Sequence, residues 1–254
     1  MRARAVSRAL TEVGFYGKLP CRGDFLQRRA PQDFVDAWDA WLQESLHALR
    51  IRLQDQWLNT YLTGPVWRFA LSAGVCGTGT YIGILVPSVD RVGRYFPLTV
   101  LARLEPQDCV LAVACASRAW FESAEQLVLD ALDAEALDFD TFDEQIALLR
   151  ERLDGAGANE SAQALRVLGD APAQSGRWQM PLASAASLQN AVNAYAQREV
   201  GRLLAPLAIW WTEGSNTLTA SWLCSRGLPE PAGFVGMLTG NWSATDWASA
   251  GGSS

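Results

Sequence analysis

Histidine is almost missing from the 254-residue sequence: His47 is the only one. A Ser–His–Asp or Cys–His mechanism needs an imidazole base beside its nucleophile. His47 lies among apolar positions of an amphipathic helical pattern, so it reads as a helix-boundary residue and not as a base. The same count excludes a histidine-rich metal site. Paired cysteines are missing too. The five present, Cys21, Cys76, Cys109, Cys115 and Cys224, are odd in number and include no C-x-x-C pair. Neither a zinc ribbon nor a disulfide framework is indicated, and reduced thiols in a bacterial cytoplasmic protein are expected. No apolar run reaches the roughly 18 residues of a membrane span. The opening MRARAVSRAL has charge but no apolar core of signal length.

An excess of positive charge is also lacking. Lys and Arg number 21 against 27 Asp and Glu, a net charge of −6. Such a chain is a poor electrostatic match for nucleic acid or anionic lipid. The segment Gly74 to Gly79, GVCGTG, looks superficially like a phosphate-binding loop. It lacks the Lys–Ser/Thr end and opens a strand, so the anion-binding helix N-terminus is missing and a structural turn is expected.

What is present is apolar and aromatic. A hydrophobic fraction of 49% with 19% charged residues marks a globular chain, and eleven Trp should anchor core or interface. The expected fold class is α/β (α+β), with a central, mostly antiparallel sheet and helices packed on it. One domain over residues 13–240 is expected, with loosely ordered tails at 1–12 and 241–254. Val13 to Leu19 reads as a first strand that adds at an edge. Pro31 to Arg52 is the clearest helix, with Phe34, Val35, Trp38, Trp41, Leu42, Leu46 and Leu49 on one face. A shorter helix follows through Tyr61. Val66 to Leu71, Thr80 to Val86 and Phe96 to Leu104 read as an antiparallel meander. Asp108 to Leu132, Phe142 to Leu153 and Ala183 to Arg198 read as helices, with an irregular connection at Asp154 to Gln179. Pro206 to Thr212 and Thr217 to Cys224 form a hairpin across EGSN that rejoins the sheet. Phe234 to Leu238 closes the chain as helix or strand.

The residues that invite a functional reading lie in loops. YIGILVPSVDRVGRYFPLTV, Tyr81 to Val100, is two apolar runs around a tight polar segment holding Asp90, Arg91 and Arg94. One reading is an internal ion pair, Asp90 with Arg91 or Arg94, that pins the loop. The other is a recognition surface, because Arg offers planar bidentate pairing to carboxylate or phosphate. Arg22 and Asp24, on either side of Gly23, pose the same choice. Trp210 and Trp211 are adjacent in a strand and face opposite ways, so one is core and the other is a candidate interface residue. No catalytic residues, no cofactor and no metal site emerge. The competing reading is a nucleotide- or metal-binding switch or enzyme using Asp24 and Asp90 as carboxylate ligands.

Two blocks carry a resemblance. GFYGKLPCRGDF followed by FVDAWDAWLQ, and WRFALSAGVCG with VPSVDRVGRYFPLT, resemble the TagF (ImpM) family of type VI secretion-associated proteins. LAIWWTEG and LCSRGLPEPAGF are similar more loosely. Gly17, Lys18, Leu19, Pro20, Gly23, Asp24 and Phe25 match the first motif; Pro87, Ser88, Asp90, Arg91, Gly93, Arg94 and Pro97 match the second. Cys21 stands where the family pattern often has Ser. The resemblance implies a non-enzymatic cytoplasmic accessory protein that restrains secretion post-translationally, with a longin-like or roadblock-like α/β fold. It implies a secretion-system partner, a scaffold carrying a forkhead-associated domain. Arg22, Asp24, Asp90, Arg91, Arg94 and the outward member of Trp210 and Trp211 are the candidate partner-binding residues.

Overall fold

A computed structural model describes residues 12–104, 109–134, 136–156, 188–245 and 247–248. Its strands are β1 (Val13–Gly17), β2 (Leu26–Arg28), β3 (Trp67–Leu71), β4 (Thr80–Val86), β5 (Leu98–Leu104), β6 (Leu207–Gly214) and β7 (Thr219–Arg226). They form one seven-stranded sheet in the order β2-β1-β5-β4-β3-β6-β7. Every neighbouring pair is antiparallel. The expected meander is β3-β4-β5, and the late hairpin β6-β7 rejoins the sheet through β3. The first strand pairs with β5, but β2 forms the edge. LQR is too short and polar to show any periodicity, so β2 left no signal in the sequence.

The helices are α1 (Gln32–Leu53), α2 (Trp57–Leu62), α3 (Val110–Ala116), α4 (Arg118–Asp133), α5 (Phe139–Leu148), α6 (Arg150–Ala156), α7 (Leu188–Leu203) and α8 (Pro231–Thr239). Helices cover both faces of the sheet, which is why β4 and β5 are buried along nearly their whole length. In β3, Trp67, Phe69 and Leu71 face α1, α2 and α8, whereas Ala70 faces α3 to α6. The first layer is aromatic. Trp38 stacks on Phe34 at 5.1 Å and on Trp210 at 5.7 Å. Three of the indole N–H groups find acceptors: Trp38 donates to Thr99 Oγ1 at 2.8 Å, Trp41 to Pro229 O at 2.7 Å and Trp67 to Met237 O at 3.0 Å, whereas that of Trp210 is buried without one. Burying each such ring contributes about 1.5–3 kcal/mol, and the indole bonds fix its orientation.

Several boundaries differ from expectation. The helix expected over Asp108 to Leu132 is two helices broken at Ser117, whose carbonyl accepts from Trp120 N at 3.0 Å and Phe121 N at 3.1 Å. The next helix starts earlier, at Phe139, because Asp138 caps it by accepting from Asp140 N at 3.1 Å. It breaks again at Leu149, separating α5 from α6. Pro31 is the N-cap of α1 and not its first residue. The closing segment is a helix. Of the stretch expected as a frayed tail, Trp242–Ala244 forms a 3-10 turn, and Trp247 donates to Gly233 O at 3.0 Å. The leader up to residue 11 and most of the irregular connection lie outside the described residues. Among those described, no helix is long and apolar enough to cross a membrane.

Candidate functional site

β1 runs antiparallel to β5, with Tyr16 opposite Thr99. The end of β1 therefore lies beside the start of β5. The loop Lys18 to Phe25 and the loop Pro87 to Pro97 meet at that end of the sheet. Gly17 makes the meeting close: its φ is 134°, and a Cβ there would sit 2.1 Å from Pro97 O. Hydrogen bonds to main-chain carbonyls join the loops. Arg91 N donates to Arg22 O at 2.9 Å, and Ser88 Oγ donates to Lys18 O at 2.7 Å. Tyr61 of α2 holds Ser88 from below, donating to its carbonyl and accepting from its amide, each at 2.9 Å.

Asp90 is the centre of this arrangement. It is 3% exposed. Its Oδ1 accepts from Val92 N at 3.0 Å and Arg94 N at 2.8 Å; its Oδ2 accepts from Lys18 Nζ at 3.0 Å and Arg94 Nε at 2.7 Å. Burial alone would raise its pKa. The Arg94 amide, Lys18 ammonium, Arg94 guanidinium and Val92 amide outweigh burial and hold the carboxyl well below the usual carboxylate range. Gly93 closes the turn at φ 83°, donating to Asp90 O at 3.0 Å. The ion-pair reading thus describes Asp90, with Arg94 as partner and Lys18, 72 positions away, as a second partner that no local spacing reveals.

Asp90 consequently presents almost no surface of its own. With both oxygens held by donors, it also does not offer a free ligand position beside Asp24, whose side chain is 98% exposed. Among the described residues no group of three or more His, Cys, Asp or Glu is arranged to hold a metal. What the two loops do present outward is Arg22, Asp24, Phe25, Arg91, Val92 and part of Arg94. Phe25 and Val92 are large exposed apolar groups, at 49% and 64%. Phe25 leans edge-on against Phe96 at 4.8 Å and stacks on Tyr16 at 5.9 Å. Arg22 lies over the Phe139 ring at 5.0 Å. Arg94 also donates to Gly23 O and approaches Asp24 at 3.8 Å. Lys18, Phe25, Ser88 and Val92 complete the site and were not among the candidates. The shared motif blocks were the only signal pointing to Lys18, Phe25 and Ser88.

Trp210 and Trp211 lie elsewhere. Trp210 is fully buried on the α1 face, so it is the core member of the pair. Trp211 faces the other side, half-buried, edge-on to Phe121 at 4.8 Å. It borders a cleft of about 490 Å³ with Trp222, Cys115 and Arg118. At its base is an ion cluster that sequence reasoning passed over. Arg68 of β3 forks onto Glu125 at 2.5 and 2.9 Å and reaches Glu213 at 3.1 Å. A charged residue inside the apolar strand pattern VWRFAL was the available signal.

The described residues therefore form a three-layer α/β fold on an antiparallel sheet, with the motif residues gathered where two loops interlock. Residues 14–149, over half of the chain, match the type VI secretion system-associated TagF N-terminal domain, and the chain belongs to that family. Both loops lie within the matched residues. The chain is similar in structure to PA0076 from Pseudomonas aeruginosa PAO1, known from a crystal structure. The TM-score is 0.69 and the identity 33%, over 90% of this chain and 94% of that one. Comparison with curated proteins gave no match.

Proposed function

We propose that this protein is a non-enzymatic cytoplasmic regulator that restrains type VI secretion by binding a secretion component, a scaffold carrying a forkhead-associated domain. Family membership supports association with the secretion system. The observation that carries the binding reading is the pair of interlocked loops. The Asp90 network fixes the backbone from which Arg22 and Arg91 project, with Phe25 and Val92 as exposed apolar neighbours. Arginine beside apolar surface on a rigid frame suits a protein interface, because little side-chain order is lost on docking.

Arg94 is a poor test residue, since its Nε holds Asp90. The test is Arg22→Ala combined with Arg91→Ala, which leaves every side-chain bond to Asp90 intact. Stability should change by no more than about 1 kcal/mol, most of it the lost contact of Arg22 with Phe139. Capture of the scaffold from host cytoplasm should be lost, and secretion should rise as in cells lacking the protein. A folded double variant that captures the scaffold and restrains secretion like wild type refutes this surface.

A further inference from the structure

β7 ends the sheet, and among the described residues no strand pairs with its outer side. The register settles which backbone groups face out. Gly227 N donates to Pro206 O at 2.8 Å. The same register continues through Ala208↔Ser225, Trp210↔Leu223 and Thr212↔Ser221. Bonded and non-bonded pairs alternate in an antiparallel ladder. Ser221, Leu223 and Ser225 therefore bond to β6, whereas Trp222, Cys224 and Arg226 direct their amides and carbonyls outward. Sheets ordinarily blunt such an edge with Pro, Lys, a bulge or a very short strand. The eight residues of β7, TASWLCSR, contain no Pro and no Lys. Trp222, near their centre, is 65% exposed.

We propose that β7 pairs with β7 of a second copy of this chain, antiparallel about a two-fold axis at Cys224. Residues that bond outward must meet residues that bond outward. An axis at Cys224 sets Trp222 opposite Arg226 of the second copy, and Arg226 opposite its Trp222. Two cation–aromatic pairs form by symmetry on one face. A separate observation selects the same axis. Arg226 Nη2 donates to Leu203 O at 3.0 Å, which places the end of α7 beside Arg226. Leu203 is 71% exposed and Val200, one turn before it, 44%. The second copy's Trp222, arriving opposite Arg226, lands next to Leu203. Each copy thus covers its exposed indole with the other's exposed leucine. Moving the axis toward Trp222 sets that ring against Cys224 or its own copy and leaves Leu203 bare. The pairing is isologous, so it closes at two copies.

Sedimentation velocity over a dilution series tests this. The wild-type chain should sediment at about twice its 27.7 kDa. Cys224→Pro removes an outward N–H that β6 does not use, so it should yield a monomer with unchanged circular dichroism. Trp222→Ala, at an exposed side chain, should raise the dimer dissociation constant about tenfold. A short bismaleimide should give a Cys224 peptide joined to itself, a product only two copies can form. A wild-type monomer throughout the series overturns the proposal. So does a dimer whose dissociation constant in Trp222→Ala and in Cys224→Pro equals that of the wild type. If Cys224→Pro fails to fold, the Trp222→Ala constant and the crosslink decide alone.

Discussion

Asp90, in a loop at the end of the sheet, and Arg68, within β3, are both buried charged residues, and the protein surrounds them differently. Asp90 is one carboxylate enclosed by four donors, two of them amides of its own turn. Arg68 is one guanidinium shared between two carboxylates on separate elements, Glu125 of α4 and Glu213 at the end of β6. The Asp90 cluster is closed: its carboxylate has no exposed surface. The Arg68 cluster is open on one side, since Glu213 is 78% exposed and faces the cleft. A closed cluster makes loops rigid, which fits the end of the sheet that carries the arginine surface. An open cluster ties helix to strand while leaving one partner in water, where attraction is weak.

The comparison breaks first at Asp90. Asp90→Ala should give the largest fall in melting temperature of any charge variant here, because it strands the buried Lys18 ammonium and two turn amides. Arg68→Ala should cost about 2–3 kcal/mol by urea unfolding. It leaves Glu125, 19% exposed, without its fork, but the exposed Glu213 loses little. An equal or larger loss at Arg68 would reverse the ranking.

Acid sharpens the contrast. The folded-state pKa of Asp90 lies below its unfolded value of about 3.9. Its contribution is therefore complete above that value and is lost as pH falls toward the lowered folded value. The urea midpoint should drop on acidification below about pH 4, and less steeply in Asp90→Asn. The smallest effect is expected for Glu213→Gln, under about 1 kcal/mol, because that carboxylate is already solvated.

Much of the fold was legible because its patterns are periodic. The Phe34–Leu49 stripe named the buried face of α1, and the apolar runs around Asp90 named β4 and β5. Breaks at Ser117 and Leu149 were not legible. Ala, Leu and Arg run through both without a Gly or Pro, and only packing against the sheet decides where the helix turns. At the site, Asp90–Arg94 was readable as an (i, i+4) pair. Lys18 was not, since nothing local tells a lysine which carboxylate lies across the sheet. Arg22 and Asp24 were found exposed in their loop, whereas Trp210 went to the core and Trp211 to the margin of a cleft.

The sequence by itself determined the family, the antiparallel sheet with helices packed on it and much of the core, because motif blocks and hydrophobic period are properties of neighbours along the chain. Tertiary structure decided which charges are buried and which face outward. It also decided that β7, and not β2 alone, ends the sheet with pairing groups outward. Those outcomes depend on pairs such as Lys18 with Asp90 and Arg226 with Leu203, which only the folded sheet brings together.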